Sequence, residues 1–266
     1  FASLPLPSHL AVLLATALPL LLVKVRAAPR RAIWIGLAIL AMAGLAATRS
    51  PVGIGLALLA VIPMLVTGRR VMTRMVVGSL VVVMVAVVVI RPDVAALEPV
   101  SLRLDNWRTG IWLWTTSPAS GVGAASFAQA SQANPLAVGN RPAHAHSLPV
   151  EALSELGPVG LIGILVLSAG LVLLISRLWK DHRGLAMAIA VVPLHNLVDF
   201  SLFVSGVALP WAVLVGWAAA HCRQDGDPVT GLPNRGRIVA VAAVSLALAA
   251  TILHTTSVVV EEAAAQ

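Results

Sequence analysis

Charge is what this 266-residue chain has least of: 11% of its residues are Asp, Glu, Lys or Arg, while 59% are hydrophobic. An ordinary soluble domain carries about 25% charged residues, so a soluble globular fold is excluded. Tyrosine is absent and phenylalanine occurs four times. Interfacial aromatics must therefore come from the seven tryptophans, of which Trp34, Trp179, Trp211 and Trp217 lie near the ends of apolar runs. The single cysteine, Cys222, permits no internal disulfide. Alternation of apolar with polar residues is also missing. Val76 to Ile90 runs without a break, which excludes the strands of an outer-membrane barrel. What remains is an all-α fold, a polytopic transmembrane helical bundle. Neither a starting methionine nor a basic n-region precedes the first apolar stretch, so the chain reads as a trimmed one.

Apolar runs and their breakers predict about eight spans: 5–23, 31–48, 51–67, 75–90, 156–176, 184–199, 203–220 and 237–257. The net charge of +7 could suggest nucleic acid, but its distribution argues for topology and against a nucleic-acid partner. Lys24, Arg26, Arg30 and Arg31 fall in the first connection, and Arg69, Arg70 and Arg74 in the third. Arg177, Lys180 and Arg183 fall in the fifth, and Arg223, Arg235 and Arg237 in the seventh. Those alternate loops hold 13 of the 18 basic residues, and the positive-inside rule makes their side cytoplasmic. The chain divides into four spans over 1–90, a long external loop over 91–155 and four spans over 156–266. No internal repeat is found.

A loop this long is usually functional or disordered, and this one has internal order. Asp105 is a candidate N-cap, after which Trp107, Ile111 and Trp114 make an apolar stripe suited to a membrane surface. Pro118 should end that helix, Gly121-Val122-Gly123 should turn, and the stretch from Asn134 to Pro142 is flexible by composition. His144-Ala145-His146 then precedes a helix whose first turn tolerates Pro149.

Ionisable groups on the outer side are the candidates for chemistry. Arg49, in the Thr48-Arg49-Ser50-Pro51 turn, either snorkels to the interface or grips an anion through its planar fork of donors. Arg103 and Arg108 flank Trp107 and offer the same pair of readings, lipid headgroups or a lipid-linked anion. All three lie on the side where basic residues are disfavoured. His144 and His146, with Glu151 and Glu155 downstream, are too few for a convincing metal site. A neutral imidazole suits proton removal from a sugar hydroxyl better. Glu151 and Glu155 share a helix face and either orient that histidine or face water. His195 and Asp199, four positions apart, should pair within the bundle or support the site. His9 and His254 have no partner in sequence.

These residues resemble the superfamily of bacterial O-antigen ligases and O-antigen polymerases. The ligase pattern is His, then Asn, Ser or Gln, nine residues, Gly, two residues, and Gly, Thr or Tyr. His146-Ser147, Gly157 and Gly160 fit every fixed position. Arg103 through Trp107 to Pro118 and Gly121-Val122-Gly123 resembles the family's external loop. Arg49 sits in a Thr-Arg-Ser turn where the family often shows Ser-Arg-Gly, and the His195 to Phe200 segment is similar as well. The family's usual dozen spans exceed the eight found here, which implies that the amino-terminal helices are missing.

The resemblance implies a metal-independent, inverting glycosyltransferase without a cofactor, in the bacterial inner membrane with its long loop in the periplasm. The donor would be a glycan on undecaprenyl diphosphate, and the acceptor a lipid A-core sugar or a growing polysaccharide. In that scheme His146 is the general base, and Arg49 and Arg103, with Arg108 beside them, hold the diphosphate. An O-antigen or exopolysaccharide polymerase is the alternative within the superfamily. A lipid-glycan transporter is the alternative outside it, although transporters place charged groups near the bilayer midplane rather than at outer span ends.

Overall fold

The computed structural model describes residues 7–65, 98–134 and 142–224. The predicted spans 75–90 and 237–257 lie outside those residues, as do His254 and Arg141. The described residues are all-helical, with no strand among them: α1 Pro7–Ala27, α2 Arg31–Ala47, α3 Pro51–Leu65, α4 Glu98–Thr116, α5 Phe127–Ser131, α6 Leu148–Leu178, α7 Arg183–His195 and α8 Ser205–Gln224, with a 3-10 turn at Ser201–Phe203 before α8.

Three of these are long and apolar enough to cross a membrane: α1, α6 and the Ser205–Cys222 part of α8. Helices α2, α3 and α7 are apolar but shorter, at 17, 15 and 13 residues. At about 1.5 Å per residue, the 13 residues of α7 cover roughly 20 Å, less than the hydrocarbon thickness of about 30 Å. Its surroundings make up for the shortfall. Nearly every α7 side chain from Gly184 to Val192 is buried, so α7 is an interior rod wrapped by other helices.

Helix α1 is the axis of the bundle, touching α2, α3 and α7. Ala11, Val12, Ala15 and Leu18 on α1 are almost fully buried. Small residues set how near the neighbours come: a Cβ on Gly53 of α3 would lie 2.5 Å from Ala11 Cβ. Such close packing holds helices together where lipid removes the usual hydrophobic drive. By contrast, α6 turns Val159, Ile162, Leu165, Val166, Val172 and Leu173 outward, the surface a bilayer takes up.

The contacts sort the chain into two ends. Arg26 donates to Met64 O, joining the ends of α1 and α3, and the His182 and His221 rings meet where α7 begins and α8 finishes. Lys24, Arg30, Arg177 and Arg183 belong to this basic end. At the other end His9 meets Phe200, and the turn between α2 and α3 packs beside the start of α1 through Gly53.

Some expectations need correction. Helix α4 starts at Glu98, with Pro99 in its first turn where a missing N–H costs nothing, so Asp105 is interior rather than an N-cap. Its inward face is Asn106, Thr109, Gly110 and Leu113, while Ile111 is exposed. Helix α6 begins at Leu148 with Pro149 in its first turn, as expected, but the predicted span from 156 is its continuation, and it is broken at Gly157, whose φ of 64° and ψ of −155° suit only glycine. Helix α8 runs to Gln224, past the predicted end at 220, and takes in the buried Cys222.

Candidate functional site

Four separate segments converge at the end of the bundle opposite the basic residues. The first turn of α1 supplies His9, α4 supplies Arg103 and Trp107, and the stretch before α6 supplies His144 and His146. The turn after α7 supplies Asp199 and Phe200, with His195 at the end of α7 itself.

The Phe200 ring is the hub. His144 stacks on it with centroids 4.5 Å apart, and His146 and His9 meet it edgewise at 4.6 and 5.1 Å. Beside it, Asp199 is 1% exposed and gathers every nearby cation and donor. Arg103 donates to Oδ2 at 3.3 Å and the Phe200 backbone N–H donates to Oδ1 at 2.8 Å. His146 Nδ1 lies 3.5 Å from Oδ1, and His195 Nε2 lies 3.6 Å from Oδ2. Burial alone would raise the affinity of this carboxyl for a proton. The His146 ring, His195, the Phe200 N–H and Arg103 together outweigh burial and hold Asp199 well below the usual carboxylate range.

His146 stands in an uncommon backbone conformation, with φ of 52°, a left-handed region that only a few per cent of non-glycine residues enter, Asn, Asp and His more often than the rest. Its carbonyl accepts from Trp107 Nε1 at 3.1 Å, and the N–H of Leu148 donates to Asn196 O at 2.8 Å. These two clamps lock the strained residue between α4 and α7. Strain of this kind costs about 1–3 kcal/mol and gathers where function needs a side chain held in one place.

The carboxylates on α6 do different work from the one expected of them. Glu151 reaches His144, at 2.7 Å from Nδ1, and accepts the Ala145 N–H at 3.1 Å, so it orients His144 and not His146. Glu155 accepts the N–H groups of Ala125 and Phe127 at 3.0 and 2.9 Å. It thereby satisfies donors at the start of α5 that the short helix cannot pair itself. Both are buried rather than facing water.

The candidate arginines separate. Arg103 is 26% exposed and His146 25%, so these two members of the cluster can be reached from outside. Arg108 turns away to Asp105, in a pair 78% and 52% exposed. Arg49 has φ of 51° and an exposed side chain at the same end of the bundle. Neither makes a polar contact with His146. An open groove of about 460 Å³ runs along α4, lined by Leu104, Trp107, Arg108, Ile111, Trp112 and Thr115. Trp107 joins this groove to the His146 carbonyl.

His9 is the member the sequence did not announce. It is fully buried, and neither ring nitrogen has a hydrogen-bond partner among the described residues. The only signal was its cost, since an ionisable group in an apolar helix calls for a reason. Among the described residues, no three His, Cys, Asp or Glu side chains are arranged to hold a metal ion. No family model matches the chain, and no curated protein or solved structure does at a significant level.

Proposed function

We propose that the chain is a glycan transferase of the O-antigen ligase type. It would move a glycan from undecaprenyl diphosphate to a lipid A-core sugar at the periplasmic face of a bacterial inner membrane, within an eight-span bundle. One juxtaposition carries the reading. His146 and Arg103, picked out through the resemblance, reach the two oxygens of one buried carboxylate, although Arg103 and Asp199 are 96 positions apart in sequence.

With Nδ1 turned to Asp199, the other nitrogen of His146, Nε2, accepts the proton of the acceptor hydroxyl. The freed oxygen bonds to the anomeric carbon from the face opposite the diphosphate, and the bond from that carbon to the diphosphate oxygen breaks with inversion. Arg103, joined by Arg49 from the neighbouring turn, holds the charge that develops on the leaving group. Preorganised donors act most strongly in such a water-poor place. An apolar groove beside a basic site also suits a long isoprenoid chain attached to a diphosphate, and the groove on α4 has that character.

The test is transfer by purified protein supplied with an undecaprenyl-diphosphate glycan and separate lipid A-core and polysaccharide acceptors, with products identified by mass. A glycan joined to the core sugar is expected. Extension of the polysaccharide alone would make the chain a polymerase, and no product with any acceptor would sink the transferase reading. Within the same assay, Arg108→Ala should keep turnover within about threefold, because an exposed pair contributes little. Arg103→Lys should weaken donor use, since Lys keeps the charge but loses the paired donors.

A further inference from the structure

Arg103 cannot grip a diphosphate with full strength while it is bound to Asp199. In the resting site it touches that carboxylate through a single nitrogen, on Oδ2, and is part-exposed; His146 approaches the other oxygen, Oδ1, at 3.5 Å. Asp199 itself is anchored by the Phe200 N–H and buried, so it stays where it is while its cationic neighbours change. We infer that Asp199 is a positioning carboxylate that exchanges Arg103 for a protonated His146, so that taking the acceptor's proton releases the guanidinium to the diphosphate. The inference rests on the reading of His146 as base and Arg103 as diphosphate ligand, and adds the coupling between them.

The charges make the exchange favourable. Before the reaction the core of the site holds one anion, Asp199, and one cation, Arg103. When the O–H bond of the acceptor breaks and an N–H bond forms on His146, two cations compete for one buried carboxylate. His146 is held by its strained, clamped backbone, whereas Arg103 is held by one hydrogen bond on a side chain that already reaches solvent. Repulsion therefore expels Arg103, and it leaves as negative charge builds on the departing diphosphate. The other groups facing this exchange are His9 from α1, His195 from α7, and the His144 and Glu151 pair from the α6 side.

The experiment measures binding of farnesyl diphosphate to the purified full chain in detergent, so it reads the exchange even if no glycan is ever transferred. Asp199→Asn keeps the shape and the Phe200 contact but drops the charge that competes for Arg103. It should bind the probe about tenfold more tightly than wild type, the order that freeing one charge-assisted hydrogen bond allows. The gain should vanish in the Asp199→Asn, Arg103→Ala double variant. In transfer assays the same Asn variant should lower the donor KM and kcat together, a split that simple loss of packing does not produce. Equal or weaker binding by folded Asp199→Asn overturns the exchange. Should that variant fail to fold, wild type is compared with His146→Gln as pH is lowered from about 8 to 5. Tightening of the probe in wild type beyond that in His146→Gln supports the exchange, and identical pH profiles overturn it.

Discussion

His146→Ala should lower transfer per molecule by about 10²–10⁴, the range a positioned general base contributes, while His144→Ala should cost far less. The contrast follows from what each ring touches. His144 Nδ1 is committed to Glu151 at 2.7 Å and its ring stacks on Phe200, so it is part of the wall. His146 pairs one nitrogen with Asp199, is a quarter exposed, and is held in a left-handed backbone that nothing in ordinary packing demands. Alanine keeps the Cβ that makes this backbone costly, so the strain stays, and membrane abundance should change little while product falls. Abundance and product must be measured together. Normal transfer per molecule by His146→Ala would end its assignment as base, and a larger loss from His144→Ala would move the base two residues upstream.

Gly157→Ala should damage the fold strongly. At φ 64° and ψ −155° an alanine is strained wherever it is put, at about 1–3 kcal/mol. Here the new methyl would also lie 2.7 Å from the carbonyl oxygen of Ala119. Crowding of that kind typically adds about 1–3 kcal/mol. The sum is a large part of the 5–15 kcal/mol that holds an ordinary domain together. Gly163→Ala, six residues on, meets nothing within 4 Å and should be neutral or slightly stabilising through helix propensity. Thermal unfolding in detergent and membrane abundance distinguish the two. Equal midpoints for both variants would show that the break in α6 is incidental.

The same break shows what could be read in the sequence and what could not. A span starting near position 156 was legible because lipid-facing residues from Val159 onward are uniformly apolar, and that uniformity is what hydropathy detects. The two turns before Gly157 were legible as helix, from Pro149 and the shared face of Glu151 and Glu155, but not as part of the span. They carry Glu151, Ser154 and Glu155 on their buried side, and a polar residue turned inward looks like a loop to any scan for apolarity. In helix α4 the inward face is Asn106, Thr109, Gly110 and Leu113, whose polar positions carry no signal for such a scan, while Ile111 of the apolar stripe is exposed. His195 and Asp199 were expected to meet through helical spacing. They do meet, but α7 stops at His195, and the turn through Asn196 brings Asp199 back. Nothing local linked His9 to any partner, because its neighbours on Phe200 come from the far end of the chain.

That last separation has a consequence for how the protein is made. His9 is synthesised before Phe200 and Asp199, which follow about 190 residues later. At about 5–20 residues per second of synthesis, the imidazole waits on the order of 10–40 s before its neighbours exist. Until then α1 carries the ring without the edge-on Phe200 contact that holds it in the finished site. The arrival of Phe200 ends that interval, so the site is joined only once segments far apart in the chain have all been made.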